Sequence, residues 1–479
     1  MMHDPTQDIQ TLFSSYSEQT LTHIDKLPQS GSNRQYYRLH IAVNNASVQN
    51  TCIAAWSNDT KENDAFIRYS QFFKARGIRV PEILAVSGDR HLYLQEDLGY
   101  TSLLDVLLQQ GFTEKVYRLY EQALSQLAVM QVAGKELIQS STPVFDEQAI
   151  LQDVLYFKFY FADVHSVPYD KAMLFQELQT LSAETASMLP RYFMFRDFQA
   201  RNIMVHQDEV YFIDYQGAMQ GHPTYDVASL LFQAKAALPD TWKENLFKHY
   251  VSSFQQQAPV HNTTFTQAYR SMVFIRMLQT LGAYGFRGLI EKKPHFISSI
   301  APALKQLRDI LPSYRLSQYP ELHKVLQTLT GEAVRNKYAV VKAEEDTPLV
   351  VHINSFSFIK RGYPAAASEN GGGYVFDCRG ILNPGRLEAF KTQTGRDSGV
   401  IHFLETQTRM NDFLRHVYEV VDITVENYIE RGFDHLTVNF GCTGGQHRSV
   451  YAADALSKHL REKYNVPTVV NHLEQSFNA

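Results

Sequence analysis

The sequence is poor in the features that mark secreted and membrane-spanning proteins. It has only three cysteines in 479 residues (Cys52, Cys378 and Cys442), and their odd number and wide spacing argue against a disulfide framework. No uninterrupted apolar run approaches the ~20 residues that a transmembrane helix needs. The first residues, MMHDPTQDIQ, contain neither a basic nor an apolar segment, which predicts that there is no signal peptide. We therefore expect a cytoplasmic protein with no membrane partner.

The sequence also lacks a strong excess of charge of one sign. The 45 Lys and Arg residues are nearly balanced by 50 Asp and Glu residues, for a formal net charge of -5 at pH 7. This balance excludes a global electrostatic attraction to nucleic acid or acidic membranes, although it is compatible with a local basic patch. A hydrophobic content of 44% is ordinary for globular proteins, and the length leaves room for about three domains of ~150 residues.

One stretch, Phe193–Gly217 (FMFRDFQARNIMVHQDEVYFIDYQG), concentrates the residues that phosphoryl transfer requires. Asp197 and Asn202 lie in a predicted tight loop, and a short predicted strand, Val210–Ile213, leads to Asp214. In phosphoryl transfer a carboxylate, here Asp197, orients and deprotonates the acceptor hydroxyl. An amide oxygen and a second carboxylate, here Asn202 and Asp214, hold Mg²⁺ against the nucleotide phosphates. A polar loop beside an ordinary hairpin is the alternative, and it would explain any one of these three residues alone.

This stretch resembles the catalytic loop of the aminoglycoside-phosphotransferase and choline-kinase branch of the protein-kinase-like fold. The family pattern is H-x-D-x-x-x-x-N followed by a strand and Ile-Asp, and this chain has Phe195 in place of the His. The resemblance implies an ATP-dependent phosphotransferase that uses Mg²⁺, with Asp197 as the catalytic carboxylate. It also implies that Asp226, within Gly221–Ala228 (GHPTYDVA), is a structural brace for the catalytic loop.

Residues 1–100 are predicted to form a small lobe that grips the nucleotide. A glycine-containing turn at Leu27–Arg38 precedes an aromatic strand, and a plain hairpin turn is the alternative interpretation. The predicted strand Thr51–Trp56 lacks the lysine with which kinases pair the phosphates, and Lys61 lies in the loop beyond it. The predicted phosphate contacts are Gly31, Ser32 and Arg34.

Two further features of this lobe match the same family. The segment Gln95-Glu96-Asp97-Leu98 resembles the hinge at which adenine hydrogen-bonds the backbone, so these four residues are predicted to contact the nucleotide. A predicted helix, Glu62–Arg76, has phenylalanine and tyrosine residues at helical spacing. Its first residue, Glu62, is either the counterpart of the kinase helix glutamate or a solvated acid in the first turn.

Residues 101–330 are predicted to form a helical large lobe. Apolar residues at helical spacing predict helices at Val116–Val132, Glu147–Ala162 and Ala268–Ile290, and the only evident strands lie within the Phe193–Gly217 stretch. Asp153, Tyr156 and Tyr160 share one plausible substrate-facing surface, with a core-and-rim role as the alternative for the tyrosines. Residues 331–347 have mixed charge and weak periodicity, which is typical of a linker.

Residues 348–479 are predicted to form a separate α/β domain. Its predicted strands are Val350–Phe358, Tyr374–Cys378 and, as the last clear one, Leu436–Phe440; a glycine loop, Gly441–Ser449, and a helix follow. A strand, a glycine loop and a helix N-terminus together form a typical anion site, to which Arg448 adds a bidentate grip on phosphate.

Cys442 and Arg448 leave two other interpretations of this loop open. They have the C-x₅-R spacing of cysteine phosphatases, in which a thiolate attacks phosphorus, although Gly441 stands where those enzymes commonly have His. A tight structural turn with a buried, inert cysteine is the third interpretation.

Two motifs of this domain, VFDCRGILNPGR (Val375–Arg386) and GCTGGQHRSVY (Gly441–Tyr451), resemble the C-terminal domain of the RNase adapter protein RapZ. The resemblance spans about Pro348 to Glu474 and implies a site for glucosamine-6-phosphate and a part in recognising small regulatory RNAs. The chain lacks that family's P-loop NTPase domain, and its tail NHLEQSFNA lacks the basic cluster that RNA phosphates require, so RNA is the less favoured partner. The implied sugar-phosphate-binding residues are Asp377, Arg379, Cys442, Gly444, Gly445, His447, Arg448 and Ser449.

These observations together predict an α+β protein-kinase-like two-lobed fold followed by a separate α/β domain with a phosphate site. Within its superfamily, the kinase part resembles the anomeric sugar kinases of cell-wall recycling, which phosphorylate N-acetylmuramic acid or N-acetylglucosamine at C1. We therefore predict an ATP- and Mg²⁺-dependent amino-sugar kinase with an attached sugar-phosphate-binding domain. The alternatives are an RNA-binding adapter whose kinase fold only binds a ligand, and a cysteine phosphatase activity in the C-terminal domain.

Overall fold

The computed structural model describes residues 5–27, 34–42, 51–338, 342–344, 346–362, 364 and 373–475, without the side chains of residues 294 and 295. The chain forms two compact units, Met1–Tyr338 and Ala339–Ala479. This division falls within the segment 331–347, for which the sequence predicts a linker. Among the helices of the described residues, none combines the length and the apolar character needed to cross a membrane.

The first unit begins with an antiparallel five-stranded sheet of strand order β1-β2-β3-β5-β4, with one helix on each face. Alternate side chains of the central strand β3 point to opposite faces. Cys52, Ala54 and Trp56 pack toward the first helix, whereas Ala55 packs toward the second. The elements are α1 (Thr6–Tyr16), β1 (Leu21–Lys26), β2 (Gln35–Ile41), β3 (Thr51–Trp56), α2 (Thr60–Lys74), β4 (Ile83–Val86) and β5 (Leu92–Glu96).

The remainder of the first unit is helical, as predicted, apart from two small two-stranded antiparallel sheets. One is the hairpin of β7 (Ile203–His206) and β8 (Glu209–Phe212), named the catalytic hairpin for its predicted role, and the other pairs β6 (Tyr192–Met194) with β9 (Met219–Gly221). The prediction that strands are confined to Phe193–Gly217 is wrong at β9, because a three-residue strand is too short to show an alternating pattern. The helices are α3 (Leu103–Gln110), α4 (Glu114–Ala133), α5 (Glu147–Phe157), α6 (Lys171–Ala186), α7 (Thr224–Leu231), α8 (Asp240–Gln255), α9 (Asn262–Tyr284), α10 (Pro294–Ile297), α11 (Ile300–Ile310), α12 (Pro320–Leu329) and α13 (Glu332–Asn336).

Helices α5 and α9 each continue into a π-helical turn, at Lys158–Ala162 and Gly285–Ile290, where the sequence predicts uninterrupted helix. The two π turns pack directly against each other. A Cβ atom at Gly285 would lie 2.0 Å from the carbonyl oxygen of Tyr160, so only glycine permits this backbone approach. Isolated π turns of this kind are frequent at functional sites.

The segment predicted as a linker is partly folded onto the first unit. It contains the short helix α13, and the ring of Tyr338 is buried. The hydroxyl of Tyr338 lies 2.7 Å from Nε2 of His165. One aromatic anchor therefore orders a segment whose mixed charge and weak periodicity are typical of a linker.

The second unit contains a parallel four-stranded sheet of order β11-β12-β10-β13. Val351 and Ile353 of β10 are fully buried and pair in register with Leu436 and Val438 of β12. The prediction that the last strand is Leu436–Phe440 is wrong, because β13 follows it; the polar Asn471 and His472 in β13 obscure its apolar alternation. The elements are β10 (Val350–Ser357), β11 (Tyr374–Asp377), α14 (Ser398–Thr406), α15 (Met410–Arg431), β12 (His435–Cys442), α16 (Arg448–Tyr464) and β13 (Thr468–His472).

The contact between the π turns generates a stability prediction. We expect Gly285→Ala to lower the free energy of unfolding by about 1–3 kcal/mol, because overpacking against the Tyr160 carbonyl outweighs the ~1 kcal/mol that alanine gains over glycine in a helix. Gly88→Ala is the matched control: a Cβ there meets nothing within 4 Å, so its stability should stay within about 0.5 kcal/mol of the wild type. Denaturant unfolding measures both, and equal stability of the two variants would contradict the packing argument.

Candidate functional site

The three residues predicted to carry phosphoryl transfer converge on one point. Asn202 ends a short 3₁₀ turn before β7, and Asp214 follows closely after β8. The Asn202 side-chain Nδ2 donates to the backbone oxygen of Asp197 at 2.9 Å, and it lies 3.3 Å from carboxylate oxygens of both Asp197 and Asp214. One amide thus bridges two carboxylates that are separated by a hairpin in sequence.

A fully buried carboxylate holds the backbone of the catalytic loop. Asp226, in the first turn of α7, accepts hydrogen bonds from the backbone N–H groups of Phe195 at 2.8 Å and Arg196 at 2.9 Å. Its third donor is the side-chain Nε2 of Gln131, at 2.8 Å. These are the contacts that a brace for the loop requires. The role of Asp226 in activity stays a prediction.

Phe195, which stands where the related family has His, is buried in an aromatic cluster. Its ring centroid lies 5.1 Å from that of Phe198 and 5.7 Å from that of Tyr215. Apolar packing therefore supports the loop at this position.

The backbone at Arg196, which follows Phe195, and at Asp214 has φ values of 81° and 69°, in the left-handed region that non-glycine residues seldom adopt. Such conformations persist where the surroundings enforce them, and they cluster at functional sites.

Two guanidinium groups surround the carboxylate of Asp197. Arg276 donates to Oδ1 at 2.9 Å and Arg201 donates to Oδ2 at 3.0 Å, and the side chain of Gln199 also donates to Oδ1. Burial alone would raise the pKa of Asp197, but the charges of Arg276 and Arg201 and the hydrogen bonds of Arg201 and Gln199 lower it to about 2. Asp197 is therefore ionised at neutral pH.

The sequence analysis missed Arg276, which lies on α9 between the buried residues Ile275 and Met277. A buried arginine within an apolar helical face was the available signal, because such a charge needs a partner. Its partner is 79 positions away in sequence, so only the fold identifies it.

A second carboxylate contacts the predicted catalytic loop, and three aromatic rings pack together farther along the same helix and the π turns. Asp153 on α5 accepts a hydrogen bond from Arg196 at 2.7 Å, while its Oδ2 is buried and has no hydrogen-bond partner among the described residues. The half-buried rings of Tyr156, Tyr160 and Phe286 follow along α5 and the π turns. The ring centroid of Tyr160 lies 4.9 Å from that of Tyr156 and 4.9 Å from that of Phe286. The centroids of Tyr156 and Phe286 are 6.0 Å apart. The sequence assigned one surface to Asp153 and the two tyrosines. In the structure the ring of Phe286, from the π turn after α9, packs against both tyrosines.

Of the predicted nucleotide contacts in the small lobe, Gly31 and Ser32 lie outside the described residues. Arg34 is described: its side chain is almost fully buried, and Nη2 lies 3.3 Å from Oε2 of Glu62 on α2. This ion pair joins the start of β2 to α2. Glu62 is thus paired, although it is about half exposed as an acid in the first turn of the helix would be.

The predicted hinge residues are largely engaged within the protein. The carboxylate of Asp97 forms a buried ion pair with Arg38, at 2.5 and 2.9 Å. The backbone N–H of Glu96 donates to the carbonyl of Glu82 at 2.9 Å. Gln95 lies in β5 between two neighbouring strands, and the side chain of Leu98 is buried. The predicted nucleotide contacts of these four residues stay a prediction.

In the second unit, the parallel sheet brings the motifs Val375–Arg386 and Gly441–Tyr451 to one edge. Asp377 at the end of β11 is in register with Gly441 near the end of β12. Arg448, the first residue of α16, is buried and donates from Nη1 to the backbone oxygens of Arg379 at 3.2 Å and Ile381 at 2.7 Å. Its guanidinium therefore connects the two motifs by hydrogen bonds. The sequence predicts instead that this guanidinium binds phosphate in a bidentate manner.

The glycine loop curls around a buried sulfur atom. Sγ of Cys442 lies 3.1 Å from Oγ of Ser449 and accepts the backbone N–H of Gly445 at 3.2 Å. Gly445 has a φ of +67°, and a Cβ there would lie 2.5 Å from the side chain of Glu474, so this position requires glycine. At Gly444 a Cβ would meet nothing within 4 Å.

The remaining predicted ligands of this unit lie around the same loop. The carboxylate of Asp377 and the guanidinium of Arg379 pair at 2.7 Å, both about half exposed. The hydrogen bond from Arg379 is the main cause of the lowered pKa of Asp377. Nε2 of His447 donates to the carbonyl oxygen of Phe390 at 2.8 Å, which fixes the ring beside the loop.

Solved structures of several kinases resemble this chain. An amicoumacin kinase in complex with AMP-PNP and Ca²⁺ is 12% identical, with 68% of this chain and 93% of that chain covered and a TM-score of 0.43. A choline kinase from Cryptosporidium parvum is 13% identical, with 64% and 93% covered and a TM-score of 0.43.

Curated relatives match a smaller part of the chain. A protein of Cereibacter sphaeroides named a nucleotide-binding protein is 40% identical over 116 residues, which are 24% of this chain and 36% of the relative. One of the same name from Leptothrix cholodnii is 33% identical over 179 residues, or 37% of this chain and 52% of the relative. The chain thus spans about half or less of the length of these relatives.

Two family sequence models match consecutive parts of the chain. Residues 26–259 match the phosphotransferase enzyme family, and this range includes Asp197, Asn202, Asp214 and Asp226. Residues 349–476 match the RapZ C-terminal domain. Each unit of the chain therefore contains the match to one family: the phosphotransferase enzyme family in the first unit and the RapZ C-terminal domain in the second.

Proposed function

We propose that residues 1–330 act as an ATP-dependent phosphotransferase that phosphorylates a hydroxyl group of a small amino sugar. The observation that carries this proposal is the Asn202 amide between the carboxylates of Asp197 and Asp214, inside the range that matches a phosphotransferase family. Residues 1–100 would grip the nucleotide, and residues 101–330 would supply the catalytic loop and the acceptor site.

In this proposal Asp197 orients the acceptor hydroxyl. Because its pKa is held at about 2, the carboxylate is a weak base at neutral pH and accepts the proton only as the new bond to phosphorus forms. Arg201 and Arg276 fix both of its oxygens, so the carboxylate keeps one orientation. This is a positioning role, which is the main protein contribution in phosphoryl transfer.

The oxygen donors beside Asp197 fit Mg²⁺. Asn202 offers an amide oxygen and Asp214 a carboxylate, and Mg²⁺ prefers hard oxygen ligands with only one or two carboxylates from the protein. Such an ion, when bound with ATP, neutralises charge on the phosphates. Asp214 is steadied by Gln216, whose Nε2 donates to Oδ1 at 2.8 Å.

The surface next to the catalytic loop suits a sugar ring. Asp153 offers a buried carboxylate oxygen to a hydroxyl or amide donor, and binding sites typically place a few such polar groups among apolar and aromatic walls. The rings of Tyr156, Tyr160 and Phe286 provide apolar faces against which the C–H groups of a pyranose can lie. Together with the resemblance to anomeric sugar kinases, this favours N-acetylmuramate or N-acetylglucosamine as the acceptor.

For the second unit we propose a binding site for a sugar phosphate at the loop Gly441–Ser449. The start of α16 directs its positive dipole end toward the loop, where glycines permit close approach of an anion. In this role Arg448 acts by holding the Asp377–Arg379 motif beside the loop. Cys442 is buried in the core of the unit, which favours binding over a cysteine phosphatase reaction.

The first prediction from the proposed function concerns the carboxylate of Asp197. We expect Asp197→Asn to fold normally and to lower turnover about 10²–10⁴-fold, because the amide cannot accept the acceptor proton. The assay is Mg²⁺-dependent ATP consumption with N-acetylmuramate and N-acetylglucosamine, and ³¹P NMR identifies the phosphorylated position. Asp208→Asn is the control, because Asp208 is an exposed carboxylate at the tip of the catalytic hairpin. Near-normal turnover of a folded Asp197→Asn protein would refute the catalytic assignment.

The second prediction separates metal binding from catalysis. Asp214→Ala should abolish the Mg²⁺ dependence of ATP binding, whereas Asp197→Asn should leave it largely intact. Titration calorimetry with ATP, in the presence of Mg²⁺ and then of EDTA, measures this difference without any acceptor. Unchanged Mg²⁺-dependent binding in Asp214→Ala would remove Asp214 from the metal site.

The third prediction distinguishes a phosphate-binding loop from a phosphatase. We expect Cys442→Ser to retain affinity for glucosamine-6-phosphate, since the backbone of the loop and the anchoring by Arg448 remain. Calorimetry measures the affinity, and a phosphate-release assay on the same sugar phosphate measures hydrolysis. Phosphate release by the wild type that disappears in Cys442→Ser would overturn the binding role in favour of a phosphatase.

A further inference from the structure

The carboxylate of Asp197 is fully engaged by donors of this chain. Its Oδ1 accepts a hydrogen bond from Arg276 at 2.9 Å and another from the side chain of Gln199. Its Oδ2 accepts one from Arg201 at 3.0 Å and lies 3.3 Å from Nδ2 of Asn202. An ionised carboxylate has about four lone-pair sites for donors. A hydroxyl group that donates to this carboxylate must therefore replace one of the four donors.

The oxygen that such a hydroxyl would meet is Oδ2. Nδ2 of Asn202 lies 3.3 Å from Oδ2 of Asp197 and also 3.3 Å from Oδ2 of Asp214, so this oxygen lies on the side of the proposed metal site. Oδ1 is bonded instead to Arg276 on α9. A hydroxyl that attacks a phosphate held at Asn202 and Asp214 therefore needs Oδ2, and it competes there with Arg201.

Of the four donors, Arg201 is the most exposed. Its side chain is 50% exposed, whereas that of Arg276 is 9% exposed and Asn202 is buried. Within the described residues, Asp197 is the one hydrogen-bond partner of the Arg201 side chain. Arg276, in contrast, also donates to Gln279 at 2.9 Å. An exposed ion pair between residues i and i+4 changes an equilibrium by at most about fivefold, so the Arg201 guanidinium leaves Asp197 at little cost.

The backbone on both sides of Arg201 is fixed. The N–H of Ala200 donates to Oε1 of Gln233 at 2.9 Å, and the N–H of Asn202 donates to the carbonyl oxygen of Gln199 at 2.8 Å. Ala200 and Asn202 are both buried. An exchange of partners by Arg201 therefore needs only rotations about its side-chain bonds, and the loop keeps its course.

A guanidinium that leaves Asp197 stays close to the transferring phosphate. A hydroxyl that is hydrogen-bonded to Asp197 and in contact with phosphorus places that phosphorus about 6 Å from the carboxylate oxygen. Arg201 starts 3.0 Å from the same oxygen, so its planar fork of donors can reach the phosphate oxygens. These oxygens carry the charge of the transition state, and an arginine that contacts them accelerates GTP hydrolysis by GTPases about 10³–10⁵-fold.

We propose that Arg201 gives up Oδ2 of Asp197 to the acceptor hydroxyl and binds the phosphoryl group during transfer. One charged contact replaces another in this exchange, so the guanidinium is never left without an anionic partner. Arg276, Gln199 and Asn202 still hold the carboxylate after the exchange. This inference rests on the proposed phosphotransferase function and adds a catalytic residue to its site.

The transfer step balances with Asp197 as the base. The acceptor oxygen forms a bond to the γ-phosphorus of ATP while the bond from that phosphorus to the β–γ bridging oxygen breaks. The electron pair of the broken bond leaves with ADP. The hydroxyl proton passes to Oδ2 of Asp197, which afterwards releases it to water. Arg201 exchanges no proton, because a guanidinium stays protonated in proteins.

Turnover measurements test the contact to the phosphoryl group. ATP consumption with N-acetylmuramate and N-acetylglucosamine is measured on the wild type, Arg201→Gln and Arg201→Lys. We expect Arg201→Gln to lower kcat about 10²–10³-fold, because a donor to the transition-state charge is lost. The KM for the sugar should stay unchanged or fall up to about fivefold, because a competitor for Oδ2 is gone. Arg201→Lys should be intermediate in kcat, because it keeps the charge without the fork.

The matched control is Arg308→Gln. Arg308 lies on α11, its side chain is 42% exposed, and it pairs with Asp309 at 3.0 Å. It therefore resembles Arg201 in exposure and in having a carboxylate partner, but it lies outside the catalytic loop. We expect its kcat and KM to equal those of the wild type.

A transition-state analogue separates this role from the positioning of Asp197. Titration calorimetry measures the binding of MgADP alone and of MgADP with fluoroaluminate, a mimic of the planar phosphoryl group, with and without sugar. Arg201→Gln should bind MgADP like the wild type and the fluoroaluminate complex about 10–100-fold more weakly. The loss should persist when Arg201→Gln is combined with Asp197→Asn, because the contact to the phosphoryl group does not act through Asp197. An arginine that only orients Asp197 would cause no loss in that background.

Three results would overturn the inference. They are wild-type kcat in a folded Arg201→Gln protein, equal losses of MgADP and fluoroaluminate binding, and a loss of fluoroaluminate binding that vanishes in the Asp197→Asn background. Thermal unfolding identifies misfolded variants, and Arg201→Lys decides the outcome if Arg201→Gln is unstable. Failure of the proposed function is distinguishable: a wild type that binds the fluoroaluminate complex without turnover of either sugar contradicts the acceptor assignment only. A wild type that binds no MgADP would overturn both proposals.

Discussion

The backbone of the predicted catalytic loop depends on one buried carboxylate. Asp226 has no exposure to solvent, and a buried ionisable group of this kind is tolerated only when donors surround it. Two of its three donors are the backbone N–H groups that directly precede Asp197, so satisfying Asp226 determines where the catalytic loop runs. The left-handed backbone of Arg196 lies within this anchored segment.

Around that anchor the charges alternate in sign. Asp153 pairs with Arg196, and Asp197 pairs with Arg201 and Arg276. These pairings explain why Asp197 remains ionised although it is partly buried. They also give the loop two connections to distant helices, through Asp153 to α5 and through Arg276 to α9. These two helices, together with the π turns that follow them, carry the aromatic rings of the proposed acceptor site.

The second unit follows a different constraint, the register of a parallel sheet. Parallel strands place their carboxyl ends at one edge, and ligand sites of α/β proteins form there. The pairing of β11 with β12 brings Asp377 beside Gly441, and Arg448 then closes the contact by donating to the backbone after β11. The core under this edge buries Cys378 and Cys442 together with Val438 and Phe440. Burial raises the pKa of the Cys378 thiol, which keeps it protonated and unreactive.

The sequence by itself determined the features whose information is local. The matches to the phosphotransferase enzyme family and to the RapZ C-terminal domain were predictable from short motifs. Asp197, Asn202 and Asp214, for example, lie on one loop and one hairpin whose geometry a few residues specify. The strand β3 and the core of helix α2 were predictable for the same reason, since apolar periodicity reports which face is buried. The strands β9 and β13 were missed because shortness and polar residues remove that periodicity.

The tertiary structure alone decided which distant groups complete each site. Arg276 reaches Asp197 across 79 positions, and Arg448 reaches Ile381 across 67. Arg34 meets Glu62 across 28 positions only because β2 and α2 pack in one lobe. No spacing rule encodes these contacts: each is an ion pair or hydrogen bond between groups that only the packing of separate elements brings together. The sequence thus specified the residues that would perform the chemistry, whereas packing specified their orientation, their charge state and their neighbours.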